Sequence, residues 1–190
     1  MDKRQKTPNP GRRGRQNGAV LVFCLIFLAI LTIMGVSGME STILEERMSG
    51  NMQDYNAAFQ AAESALKVAE GWLAGEDAKP ATSTNGSTTV WAVDAMDPDT
   101  TDGTYWWDLS ARDASWWSAN AEAVSGLAGV AAQAQYIIEE YRTTSFQRPL
   151  GIGGEEVTVA RVFHRITARG IGSNSTTEVK LQSMFAKTYN

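Results

Sequence analysis

Cysteine and histidine are almost missing from this sequence. Cys24 and His164 are the sole representatives of their types. One cysteine cannot form an intrachain disulfide, so cysteine usage says nothing about the redox compartment. Together the two residues exclude a Cys/His zinc cluster and a Cys/His nucleophile pair. Proline is missing from Ala19 to Lys79, and no charge interrupts Ala19 to Met39. Basic residues are sparse after the first 18 positions. Lys3, Arg4, Lys6, Arg12, Arg13 and Arg15 stand there against one acid, Asp2, whereas the remainder carries 11 basic and 20 acidic residues. Phosphate recognition needs a clustered basic surface, so the acidic body argues against nucleic acid as a partner.

What is present begins with the uncharged stretch. Ala19–Met39 is 21 residues, and a helix of roughly 20 residues spans a bilayer core. The basic flank predicts a cytoplasmic N-terminus, with the body on the periplasmic side. A cleaved signal peptide is the alternative. Its apolar region is usually only about 7–15 residues, which counts against it.

The helical pattern does not stop with the apolar run. Leu44, Met48, Met52, Tyr55, Phe59, Ala62, Leu66, Ala69 and Leu73 recur at spacings of three and four. That is one stripe of a 3.6-residue helix. Glu45, Glu46, Arg47, Asp54, Glu63, Lys67 and Glu70 fall largely off it. Six alanines between Ala57 and Ala69 favour helix. Gly75 is the expected C-cap, and Pro80 bars continuation. One helix from Ala19 to about Ala74 would be roughly 80 Å long. Its apolar half covers 19–40 and its amphipathic half 41–75.

Residues 76–135 change character. "GEDAKPATSTNGSTT" reads as an exposed loop. Trp91, Trp106, Trp107, Trp116 and Trp117 then crowd together. They form either a small core that anchors a long insertion or an aromatic surface for a partner or glycan. On the second reading Trp106, Trp107, Trp116 and Trp117 are the binding candidates. "SARDASWWSANAEAV" reads as a short helix begun near Ser110 or Asp113. "DPDTTDGTYWWD" offers Asp97, Asp99, Asp102 and Asp108 at spacings similar to an EF-hand loop. Its glycine is displaced by one and its last acid is Asp, which favours a solvated turn, so no metal or other cofactor is expected.

Residues 136–190 read as three β-rich strands, around Tyr136–Arg142, Val157–Gly170 and Thr177–Lys187. Val162, His164, Ile166 and Ala168 share one face by alternation. Val179, Leu181, Ser183 and Phe185 do so in the last strand. Packing that face on the helical stripe gives an α+β architecture. Glu139 and Glu140 are adjacent, so they point to opposite faces and are no catalytic pair. "GIGG" at Gly151–Gly154 lacks the lysine and helix start of a phosphate loop. Nothing in the sequence assembles a nucleophile, a base and an orienting group, so no enzyme activity is expected.

This layout is similar to a type IV pilin and, more closely, resembles the PilX family of minor pilins. The resemblance rests on "GAVLVFCLIFLAILTIMGVSGM" (Gly18–Met39), "TILEERMSGNMQDYNAAFQAAESAL" (Thr42–Leu66) and "RITARGIG" (Arg165–Gly172). It implies a pilin fold, with the long helix packed on a C-terminal antiparallel sheet. It implies a leader, residues 1–18, cut after Gly18 by prepilin peptidase, and a mature N-terminus at Ala19 that becomes methylated. It implies assembly contacts through Phe23, Glu45, Glu46 and Arg47. The implied partners are other minor pilins, the major pilin, a pilus-tip adhesin and the inner membrane, with roles in adhesion and twitching motility. One position departs from the usual pilin pattern: the fifth mature residue is Phe23 instead of glutamate. The tip pseudopilin of a type II secretion system, which often lacks that acid too, is the alternative machine. A membrane-anchored glycan- or partner-binding module is a third reading, supported by the Trp/Asp region alone.

Overall fold

The computed structural model describes residues 18–97, 99–149 and 156–189. The leader before Gly18 and the glycines Gly151–Gly154 lie outside the described residues. The chain divides into two compact units, Met1–Ser49 and Gly50–Asn190.

Helix α1 runs without a break from Ala19 to Gly75. Neither Gly35 and Gly38 nor Ser49–Asn51 interrupts it. In the first unit its side chains are exposed throughout, and it is long and apolar enough to cross a membrane. In the second unit, Ala58, Ala61, Ala62, Ala65, Ala69 and Leu73 are buried. The buried face is therefore mostly alanine; it shares Ala62, Ala69 and Leu73 with the expected stripe and adds Ala58, Ala61 and Ala65 beside it. Met52 and Tyr55 are exposed, because the sheet beneath the helix gives out near Asp54. The end of α1 also differs from expectation. Gly75 stays helical and does not adopt the left-handed conformation. Instead the Lys187 ammonium donates to the carbonyls of Leu73 (3.0 Å), Ala74 (2.8 Å) and Glu76. A cation on the last unpaired carbonyls satisfies them and opposes the negative end of the helix dipole.

Among the described residues the sheet has six strands: β1 (Thr82–Ser83), β2 (Val90–Trp91), β3 (Glu122–Ala123), β4 (Gln135–Pro149), β5 (Glu156–Ile171) and β6 (Glu178–Tyr189). The path is β1-β2-β4-β5-β6, with β3 also pairing with β4. The three long strands are antiparallel, as expected. The sheet is nevertheless mixed and reaches back before residue 136, because β1–β2 and β2–β4 pair in parallel. Two-residue strands carry no alternation that a sequence could display. Between β4 and β5 the register shifts at Glu140/Arg142.

Both faces of the sheet are covered. On one face Tyr136, Ile138, Ile166 and Ala168 meet the alanine face of α1. Small side chains let the helix backbone settle almost onto β5. A Cβ added at Gly170 would lie 2.1 Å from the Ala58 carbonyl oxygen and 2.6 Å from the Ala62 nitrogen. One added at Gly172 would lie 2.5 Å from Asp54 Oδ1. Asp54 binds the β5–β6 turn, accepting from Ser173 Oγ (2.5 Å) and the Asn174 N–H (3.0 Å). Those hydrogen bonds hold its pKa down at about 2. On the other face Ile137 packs against Trp91, Met96, Trp106 and Trp117. The Trp-rich part of the connecting region thus forms a third layer, while the stretch 76–87 before it is largely exposed, as expected.

Candidate functional site

The tryptophan cluster is core. Trp106 is 1% exposed and Trp117 is 0% exposed, and their rings stack with centroids 5.7 Å apart. Trp107 meets Trp106 edge-on at 5.5 Å, and Trp116 meets Trp117 edge-on at 6.1 Å. Of the two readings of the sequence, the core one holds at Trp106 and Trp117, where packing consumes both rings, and neither is left as a binding candidate. Trp107 and Trp116 lie half-buried at the margin, where Tyr105 stacks on Trp107 at 4.6 Å and Arg112 sits 4.4 Å over Trp116. Helix α2 (Ala114–Asn120) carries Trp116 and Trp117. Asp113 caps it, accepting from the Trp116 N–H at 2.9 Å.

Beneath this layer lies a buried ion pair. Glu139, 1% exposed, accepts from Arg165 Nε and Nη2, both at 3.0 Å, and from Trp106 Nε1 at 3.1 Å. Burial pushes its carboxyl up, against the opposing pull of Arg165 and the indole N–H. Three internal donors converge on Glu139, so the group reads as structural. Glu140 faces the other way, towards Lys79 (2.9 Å) and Thr143 (2.7 Å). His164 is buried with its ring edge-on to Tyr189, and its Nδ1 makes no hydrogen bond. Burial lowers its pKa; Glu140 opposes that shift and Lys79 adds to it.

The Asp-rich loop does not converge on a cation. Asp97 accepts from the Asp99 N–H, Asp99 from Thr101, and Asp102 from the Thr104 N–H. Each carboxylate closes its own local turn, with Gly103 in a left-handed conformation at φ 74°. Asp108 lies 3.9 Å from Lys180. Among the described residues no three His, Cys, Asp or Glu side chains are gathered where they could hold a metal ion.

What remains is the N-terminal helix itself. Gly18 has φ 79° and directly precedes the first helical residue, Ala19. A left-handed φ there suits glycine and strains other residues. Phe23 is 72% exposed, on a strip with Val20, Cys24, Phe27, Leu28 and Leu31. Glu45, Glu46 and Arg47 are exposed, and no described ion pair engages them. Each large apolar side chain left in water forgoes about 1.5–3 kcal/mol. A run of them requires lipid or the helices of other subunits as cover. This surface is the candidate functional site.

A long helix, apolar in its first half and laid on a sheet in its second, defines a pilin-like subunit. Two family descriptions match the chain: "PilX N-terminal" over residues 17–67 and "Type IV pilus assembly protein PilX C-term" over residues 73–187. The chain belongs to the PilX family and is a minor pilin of the type IV pilus. No curated protein and no solved structure shows significant similarity to it.

Proposed function

We propose that this minor pilin helps initiate or cap type IV pilus assembly from the filament tip, within a complex of minor pilins. Prepilin peptidase cuts after Gly18, and Ala19 becomes the methylated N-terminus. The subunit waits in the inner membrane with its N-terminus cytoplasmic and its body periplasmic. It then joins the major pilin and its sister minor pilins, and the tip so formed presents an adhesin and supports twitching.

The observation that carries this reading is Phe23 at the fifth mature position. In most pilins a carboxylate there is thought to neutralise a neighbour's N-terminal ammonium during assembly. An uncompensated charge in hydrocarbon is costly, so that pairing matters wherever it occurs. A phenylalanine offers no such contact. That suits a subunit at the end of the filament, with Glu45, Glu46 and Arg47 as polar contacts further along the helix. The missing acid would equally suit the tip pseudopilin of a type II secretion system, but the family match favours the pilus.

A clean deletion tests the proposal. Surface piliation and twitching should fall, and Gly18→Leu should accumulate the unprocessed chain with the same phenotype. Immunogold labelling should mark filament ends. Normal piliation in the deletion, or even labelling along filaments, would overturn it.

A further inference from the structure

Strand β6 closes the sheet on one side, and its outer edge is unpaired among the described residues. It pairs with β5 over 12 consecutive residues, Glu178–Tyr189 against Ala160–Ile171, without a register shift. A long, regular edge of this kind is a template for another strand. On the opposite side β1 is two residues long, and β4 beyond Glu139 is a second unpaired edge among the described residues, but that one begins at the register shift at Glu140/Arg142, whereas β6 is regular throughout.

The surroundings of the β6 edge are unfinished on both faces. On the helix face Leu181 and Phe185 are packed against the core yet only half-buried. Along α1 itself runs a groove of about 470 Å³, lined by Gln60, Glu63, Ser64, Leu66, Lys67 and Glu70, of which Leu66 packs on the same core as Leu181 and Phe185. Glu70 ties this flank to the strand by accepting from Ser183 Oγ at 2.8 Å. On the opposite face Met184 is 51% exposed.

We infer that the β6 edge is a docking site for one extended strand of another protein, bearing alternate apolar and basic side chains towards α1. Such a strand would lie about 4.8 Å outside β6. Its main chain would take up the free N–H and C=O groups, and alternate side chains would set specificity. Apolar residues would complete the cover of Leu181, Phe185 and Leu66. Basic residues would meet Glu63 and Glu70, which outnumber the single cation Lys67 and form no described ion pair. The same acids disfavour a second copy of this chain. Antiparallel pairing of β6 with its own twin would bring two α1 flanks together, Glu63 and Glu70 facing their equivalents across the seam, and like charges repel. The inference does not depend on where in the filament the subunit sits.

The test uses the full chain in lipid nanodiscs and two synthetic decapeptides with threonine at every second position; the intervening residues, which share one face, alternate valine with lysine in one peptide and valine with glutamate in the other. Hydrogen exchange is read at the β6 amides. The lysine peptide should slow exchange across Lys180–Phe185 at least tenfold, and the glutamate peptide should not. In Glu63→Lys/Glu70→Lys the preference should reverse. Glu63→Lys alone, which keeps the Glu70–Ser183 bond, should weaken the lysine peptide's effect. Three results would overturn the proposal: no protection by either peptide, equal protection by both, or β6 protection that rises with protein concentration alone and so marks self-pairing.

Discussion

Replacing Gly170 by alanine should destabilise the body more than any other single-methyl change along its helix–sheet seam. The added Cβ would stand 2.1 Å from the Ala58 carbonyl oxygen and 2.6 Å from the Ala62 nitrogen. An unstrained carbon–oxygen contact lies at about 3.3–3.6 Å. Both obstacles are backbone, and no rotamer change can clear them. The helix must retreat by more than about 1 Å. A gap of that size forfeits about a quarter to a half of the dispersion attraction across it. That loss falls on the whole face from Ala58 to Leu73. Overpacking typically costs about 1–3 kcal/mol, and a backbone clash belongs at the upper end, about 3 kcal/mol. At about 2–4 °C per kcal/mol for a body of this size, the melting temperature should fall by about 6–12 °C. The assay is thermal unfolding of the full chain in detergent, followed by tryptophan fluorescence. Gly71→Ala is the matched control. It lies in the same helix, and a Cβ there meets nothing within 4 Å. It should raise stability by about 0.5–1 kcal/mol through helix propensity. If Gly170→Ala melts within 2 °C or so of the native chain (less than about 1 kcal/mol), the close-approach argument is wrong.

Three further outcomes follow from the polar groups. Arg165→Met should cost about 3–5 kcal/mol in denaturant unfolding, because it strands the buried Glu139 carboxylate, and Glu139→Met/Arg165→Met should recover most of the loss. Asp54 has a folded pKa of about 2, below its ordinary value of 3.8. Its contribution is therefore present above about pH 4 and lost as pH falls through 2. Asp54→Asn should accelerate amide exchange in the Ser173–Thr177 turn at pH 7 and make little difference near pH 2. His164 has a lowered pKa, so its neutral form is the one the fold accepts. Stability should hold above its ordinary value of 6.5 and decline as pH drops below it, as the unfolded chain takes up the proton first. His164→Phe should flatten that decline in melts taken from pH 7.5 to 5.

How far the sequence revealed this molecule depends on which signal each part sends. The unbroken helix was legible because apolar length, alanine content and missing proline all agree from Ala19 onward. The alternation of Val162, His164, Ile166 and Ala168 gave the buried face of β5 correctly. The contact face of α1 was read in part: Ala62, Leu66, Ala69 and Leu73 of the expected stripe do pack in the core. Large side chains such as Met52 and Tyr55 announced a stripe, whereas the sheet in fact grips Ala58, Ala61 and Ala65. Periodicity records hydrophobicity, but a seam this close selects for smallness. Two-residue strands leave no period, so β1, β2 and β3 were invisible. The tryptophans announced themselves, and burial decided that Trp106 and Trp117 serve as a layer. Lys187 as a cap could not be foreseen, since nothing local links it to Leu73. The candidate assembly surface was legible at once, as a plain run of apolar residues starting at Ala19.

That cap, with its companions, sets a schedule for the chain's birth. Asp54 is held by Ser173, 119 residues later; Glu70 by Ser183, 113 later; and Leu73 by Lys187, 114 later. At about 5–20 residues per second of synthesis, α1 waits roughly 6–24 s before its partners in the β5–β6 turn and in β6 exist. Its apolar half can enter a bilayer in that interval, but its alanine face has nothing to close upon. The body must therefore ripen after the last strand is made. Until then the newborn subunit shows any passing chaperone or protease a helix without its floor.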